Sequence, residues 1–174
     1  MLYEFEGKRP QIGEGSFVFE NATIIGDVKI GKGVYIGAGA VLRGDYGSIE
    51  VGDYSAIEDN CTVHARPGEL CKIGAHVTVG HAAVLHNCEL SDWSLVGMRA
   101  VVSDYARLGV WTVVGEGAVV KNRDQLEDET IYVGIPAKPR GQINEEYKKL
   151  WTHFKGVYNE LAEKRYPASL KRID

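Results

Sequence analysis

Ile73-Gly74-Ala75-His76-Val77-Thr78-Val79-Gly80-His81-Ala82-Ala83-Val84-Leu85-His86 places an aliphatic residue at every sixth position: Ile73, Val79 and Leu85. The same beat runs upstream through Ile12, Val18, Ile24, Ile30, Ile36, Leu42, Val51, Ile57 and Val63. Downstream it continues through Leu90, Val96, Val102, Leu108, Val114 and Val120. Four residues after most of these stands a small or β-branched side chain, as at Ala22, Ala40, Cys61, Ala83 and Ala100, and the next residue after the aliphatic is most often glycine. Neither a helical period near 3.6 nor a long strand alternation makes this pattern. A hexapeptide β-solenoid does.

The repeat resembles that of left-handed parallel β-helix proteins, which implies three hexads per coil. The predicted class is mainly β, a left-handed parallel β-helix with a C-terminal α-helix. Residues 1–11 are expected to cap the first open edge, 12–135 to form the solenoid, and 136–174 to supply a linker and the helix. Pro136 and Pro139 forbid a continuing ladder. Asn144 followed by Glu145 and Glu146 reads as a helix start. Tyr147, Leu150, Trp151, Phe154, Val157, Tyr158 and Leu161 then form one apolar stripe, with Gly156 as an expected weak point and Pro167 as the expected stop.

A net charge of −4 argues against a nucleic-acid partner. No signal peptide is evident at the N-terminus, and no apolar run approaches the roughly 20 residues of a membrane span. The three cysteines read as free thiols, so a cytoplasmic location is expected; Cys71 and Cys88 lack the CxxC spacing of a metal site.

With three hexads per coil, every third hexad stacks on the same face. The residue after the aliphatic is mostly glycine on faces one and two. On face three it is Ile25, Arg43, His64, His86, Ser103 and Lys121, with no glycine. Every break in the six-residue spacing also follows face three: Leu42 to Val51, Val63 to Ile73 and Leu85 to Leu90. Coils stack about 4.8 Å apart, so His64 and His86 are expected side by side, with Arg43 one coil below. His81 falls on face two above Asp59, pointing away from that pair. Three imidazoles leave an open fourth position on a metal, as catalytic zinc requires. His81 is therefore expected to complete the site of a neighbouring subunit, and a closed three-fold ring repeats that arrangement at every corner. His76 and His153 are expected to be ordinary satisfied polar groups, and Lys121 a solvated residue at the end of the solenoid.

These residues resemble the γ-class carbonic anhydrase family from about Gly13 to Leu161. The matching stretches are Val41-Leu42-Arg43-Gly44-Asp45, Ala56-Ile57-Glu58-Asp59-Asn60, Val63-His64, Ile73 to His81, Leu85-His86-Asn87-Cys88, Val96-Gly97-Met98 and Gly134 to Lys138. The resemblance implies a homotrimer holding zinc, or iron(II) or cobalt(II), on His64 and His86 of one subunit and His81 of the next. It implies that Arg43, Asp45 and Asp59 order the site and join subunits, and that Tyr158 stands near the metal. Glu58 occupies the position of the family's glutamine, and Tyr46 that of a glutamate. A short loop, Ala65 to Leu70, replaces a long acidic one and leaves Glu69 as its carboxylate.

The function expected on this basis is hydration of carbon dioxide, a small-molecule substrate, to bicarbonate. Bound metal brings the pKa of its water to near 7 and so supplies hydroxide. Glu58 is expected to orient the hydroxide, Tyr158 to line the pocket, and Glu69 or buffer to carry off the proton. Alternatives are a hexapeptide acyltransferase, which needs one histidine base, an acyl-CoA thioesterase, or a non-catalytic metal-binding trimeric scaffold.

Overall fold

The computed structural model describes residues 1–173; Asp174, the last residue of the C-terminal segment, lies outside the described residues. The hexad rhythm becomes a parallel β-solenoid of about seven coils that matches a left-handed β-helix, closed by a C-terminal helix. Face one stacks Gln11–Ile12, Lys29–Ile30, Glu50–Val51, Lys72–Ile73, Glu89–Leu90, Arg107–Leu108 and Gln125–Leu126. Face two stacks Phe17–Val18, Tyr35–Ile36, Ala56–Ile57, Thr78–Val79, Leu95–Val96, Val113–Val114 and Ile131–Tyr132. Face three stacks Thr23–Ile24, Val41–Leu42, Thr62–Val63, Val84–Leu85, Val101–Val102 and Val119–Val120.

In each pair the first side chain points out and the second inward, because successive residues of a strand alternate. The inward column is buried: Ile36, Leu42, Ile57, Val63, Val79, Leu85 and Val114 are all 0% exposed. Glycine after the inward residue lets one coil lie on the next. A Cβ on Gly37 would stand 2.4 Å from Asp59 Oδ1 and 2.6 Å from its backbone nitrogen. Leu2–Tyr3 pairs with Ile24–Ile25 and so extends the face-three ladder at the N-terminal end. At the other end Thr130–Val133 is met by an antiparallel strand, Lys138–Gln142.

The outward rows differ by face. Face one carries alternating charges, with Lys29 on Glu50 at 3.4 Å and Arg107 on Glu89 at 3.2 Å. Face two presents Tyr35, Ala56, Leu95, Val113 and Ile131, and the helix α1, Glu145–Glu160, lies against it. Asn144 caps α1, its side chain accepting from the Tyr147 backbone N–H at 2.8 Å. The helix runs through Gly156 without interruption. Pro167 does not end it: a π-helical stretch, Leu161–Arg165, leads into α2, Tyr166–Ser169. The wider turn places Pro167 at the start of a new α-helical segment, where its missing N–H is not needed.

Lys155 on α1 is 4% exposed, and its Nζ donates to Thr78 Oγ1 at 2.9 Å and to the Ser94 carbonyl at 3.4 Å. Burial pushes its pKa down from the usual 10.5 to about 7, against a smaller opposing pull from Glu58. The unfolded chain keeps this proton up to about pH 10.5, whereas the folded chain releases it near 7. Between those values the unfolded state binds more protons, so this residue makes the protein more stable as pH rises and least stable below 7. Lys155→Met is expected to stabilise the protein by about 2–4 kcal/mol at pH 6 and to flatten that rise. Thermal midpoints of both proteins between pH 6 and 9.5 check this; parallel curves would refute the assignment.

Candidate metal centre

The chain turns off face three directly after Val63 and Leu85, so the next side chains, His64 and His86, leave the solenoid on adjacent coils. They pair in register, with Arg43 in register one coil below. His64 Nδ1 faces His86 Nε2 at 3.1 Å. Each outer nitrogen meets a carboxylate: His64 Nε2 and Asp45 Oδ1 are 3.1 Å apart, and His86 Nδ1 and Asp104 Oδ1 2.5 Å. Arg43 donates to Asp45 Oδ2 at 2.6 Å, and Arg66 to Asp104 Oδ2 at 2.7 Å.

Both acids are held ionised. Burial alone would raise Asp45, but hydrogen bonds from Arg43 and His64 outweigh it and keep its pKa below the ordinary value. Asp104 is lowered by the hydrogen bond from Arg66, which overcomes its desolvation, and by that from His86. An ionised carboxylate only accepts. His64 Nε2 and His86 Nδ1 therefore donate in these contacts, and when both rings are neutral these are their only ring protons. The two inner nitrogens then face each other with lone pairs, 3.1 Å apart.

Opposed lone pairs at that distance repel unless a cation lies between them, either a shared proton or a metal ion. Two imidazole nitrogens on one tetrahedral zinc ion, each at about 2.0–2.1 Å, stand about 3.3 Å apart. The pair fits that requirement, and carboxylates on the distal nitrogens are the usual means of orienting histidine ligands. Among the described residues no single group of three or more His, Cys, Asp or Glu converges on one point.

His81 sits on the other corner, two residues beyond Val79, in line with Asp59 one coil below. Its ring nitrogens face Glu58 Oε2 at 3.1 Å and Asp59 Oδ2 at 3.5 Å, and the side chain is 45% exposed. Glu58 Oε2 also accepts the His81 backbone N–H at 3.1 Å. Glu58 has a raised pKa because burial outweighs the charge of His81 and the hydrogen bond from Tyr158. The Tyr158 ring packs against that of Tyr35, with centroids 5.2 Å apart and planes tilted by 54°. Between face two and α1 lies a cavity of about 290 Å³ whose walls include Glu58, His81, Met98, Trp151, Phe154 and Tyr158.

One chain thus divides the expected site residues between two corners. Arg43, Asp45, His64 and His86 gather on one; Glu58, Asp59, His81 and Tyr158 gather on the other. Glu69 joins neither. It lies exposed on the 65–70 loop and lines a separate cavity of about 450 Å³. Tyr46 is exposed, with its ring 6.3 Å from that of His64. His76 stacks between Tyr54 and Trp93 at 5.4 and 4.2 Å, away from the pair, and His153 is exposed on α1. Asp104 and Arg66 were not anticipated. The available signal was offset: Asp104 stands two residues beyond Val102, as His81 stands beyond Val79 and Asp59 beyond Ile57.

A family profile described as bacterial transferase hexapeptide (six repeats) matches residues 9–44. The carnitine operon protein CaiE of Salmonella agona is 37% identical over 163 residues, covering 92% of this chain and 81% of the relative. Gamma carbonic anhydrase 1, mitochondrial, of Arabidopsis thaliana is 32% identical over 173 residues, covering 96% of this chain but 63% of the plant protein. Among solved structures, a Bacillus cereus protein provisionally described as an acetyltransferase superposes with a TM-score of 0.94 at 31% identity, over 98% of each chain.

Asp104→Asn is expected to leave the coil folded while releasing the His86 ring. The amide can donate where the carboxylate only accepted, so the Nε2-protonated tautomer becomes accessible. Long-range proton–nitrogen correlation spectra of the metal-free protein check this. An unchanged Nδ1-protonated His86 would show that Asp104 does not set the tautomer.

Proposed function

This chain belongs to the hexapeptide-repeat family that includes CaiE and the mitochondrial gamma carbonic anhydrases, and from that membership we propose that it hydrates carbon dioxide at a metal site shared between subunits. The observation that carries the proposal is the approach of His64 Nδ1 and His86 Nε2 to 3.1 Å, with Asp45 and Asp104 against the outer nitrogens of the two rings. Two donors are too few for a retained ion, and the third comes from His81 of an adjoining copy. Zinc suits three imidazoles; iron(II) or cobalt(II) suits them too.

A ring of three copies gives every corner the same set of donors. Exposed apolar side chains near the two corners support such an assembly: Val84 is 37% exposed, Met98 49% and Phe154 46%. Patches of this kind mark surfaces that meet another protein.

A divalent ion held there supplies Lewis acidity, bringing the pKa of water to about 7. The chain's own residues do the remainder. Asp45 and Asp104 fix both ring orientations, and Arg43 and Arg66 fix the acids. Glu58 accepts the His81 N–H and the Tyr158 hydroxyl, so it is held toward the cavity. Its raised pKa brings it closer to the range in which a carboxyl group exchanges protons at neutral pH. Asp59 steadies the second nitrogen of His81. Glu69 has no such placement within one chain, so buffer is the expected final proton acceptor.

One observation favours a second reaction at the same centre. The cavity beside His81 is about 290 Å³ and carries Leu95, Val96, Met98, Trp151 and Phe154 on its walls, far more apolar space than carbon dioxide fills. A short acyl chain fits such a space, and an ion held by the three histidines would supply the same Lewis acidity to a thioester hydrolysis. An acyltransferase needs no ion, and a scaffold needs no turnover. Metal content, stopped-flow carbon dioxide hydration and thioester hydrolysis, measured on one preparation, separate the four.

His81→Ala is expected to fold normally yet lose at least tenfold in metal affinity and all metal-dependent turnover. The double variant His64→Ala/His86→Ala is expected to fail alike. Refolding the two together in equal amounts should restore about a quarter of the sites, the statistical share in a mixed three-fold ring. Retention of full metal by His81→Ala, or no recovery on mixing, would refute the shared site.

A further inference from the structure

Cys71 and Cys88 face each other across neighbouring coils inside the solenoid. The Lys72 N–H donates to the Cys88 carbonyl at 2.9 Å, and Glu89 and Leu90 pair in register with Lys72 and Ile73. The two sulfurs are 4.0 Å apart, with residue exposures of 0% and 2%. Neighbouring strands stand about 4.8 Å apart. That spacing lies within the roughly 4.4–6.8 Å between Cα atoms that a disulfide spans. Rotation of the two side chains can therefore bring the sulfurs to bonding distance. Cys61 provides a contrast in the same core, because its thiol donates to the Gly80 carbonyl at 3.1 Å.

Of the two, Cys88 lies nearer the surface. It borders the cavity of about 450 Å³ whose other walls include Glu69, Asn87, Tyr105, Arg107 and Arg123.

We propose that Cys71 and Cys88 form a reversible intrachain disulfide when a peroxide enters this cavity. The Cys88 sulfur attacks one peroxide oxygen and the O–O bond breaks. The thiol is oxidised to a sulfenic acid, and the peroxide is reduced to one water, which takes up the thiol proton. The Cys71 sulfur then attacks the sulfenic sulfur and expels hydroxide, which takes the Cys71 proton and leaves as a second water. Two thiols and one hydrogen peroxide thus give one disulfide and two waters. The bond closes the segment from 71 to 88, which contains both His81 and His86. Oxidation therefore fastens the coil that carries a donor for each corner. The inference stands on the sulfur geometry and is independent of the metal-site proposal.

The test takes the full chain, reduced and freed of reductant, through increasing hydrogen peroxide, followed by thiol counting after unfolding, intact mass and peptide mapping. Two of the three thiols are expected to disappear together, with a mass lower by two hydrogens and a Cys71–Cys88 cross-linked peptide. Dithiothreitol should restore all three. Cys61→Ala should form the same cross-link, and Cys88→Ala none. Single-thiol loss with added oxygen, a cross-link through Cys61 or between chains, or survival of every thiol would overturn the proposal. The wild-type result needs no substitution, so a variant that misfolds does not blunt the test.

Discussion

Coil spacing governs this molecule. Parallel strands about 4.8 Å apart leave no room for a side chain where one turn lies on the next. The structure meets the limit with glycine after the inward aliphatic residue, as at Gly37, where a Cβ would strike Asp59 at 2.4 Å. The same spacing aligns each residue with its equivalents above and below. A feature repeated once per coil becomes a column, and a departure from the repeat becomes a place where groups gather. On face three, Arg43, His64 and His86 stand where the other faces mostly carry glycine, and the chain inserts extra residues after Arg43 and His64. The residues added between Leu42 and Val51 and between Val63 and Ile73 bring Asp45 and Arg66 to the histidine corner.

Stacking alone would set two imidazoles side by side with no preferred contact. Their flanking carboxylates make the arrangement chemically directed. Asp45 and Asp104 approach from opposite sides, each anchored by an arginine, and force both protons outward. A neutral pair is then left with lone pairs in opposition. Breaking a charge-anchored contact of this kind leaves a buried acceptor unmet, which costs more than an ordinary surface ion pair. The corner is ordered by contacts within the chain alone. On the other corner Glu58 and Asp59 face the two ring nitrogens of His81 and hold its side chain half-exposed.

What could be read in advance follows from this geometry. The hexads, the three faces, the register of His64 on His86 and the Asn144 cap all arise from local spacing or from strict stacking, and each is visible as a periodicity. Asp104 is not legible from the residue immediately after the aliphatic, because it reaches back to His86 from one coil above at an offset of two. Lys155 is hidden because a lysine reads as solvated by type, although it stands four residues after Trp151 and three before Tyr158, on the side that docks on Thr78 and Ser94. Pro167 looked like a stop because an α-helical interior cannot hold it; the π-turn at Leu161–Arg165 changes the frame. Tyr54, His76, Trp93 and Trp111 also form a corner stack, all with positive φ, in a position where small residues are less strained.

The helix shows why the apolar stripe and the core are not the same set. Trp151 and Tyr158 turn inward, while Leu150, Phe154 and Val157 stay 51%, 46% and 38% exposed. A helix needed only to cover face two would turn its greasy side fully to the solenoid and place Lys155 in water. Instead it buries the lysine and leaves an aromatic wall open beside His81. That choice lowers stability at neutral pH, since burying an amine that titrates near 7 is unfavourable. Such a departure from the most stable packing is where function is expected to be stored. Here it keeps the cavity, Glu58 and His81 together on the side of the chain that faces outward.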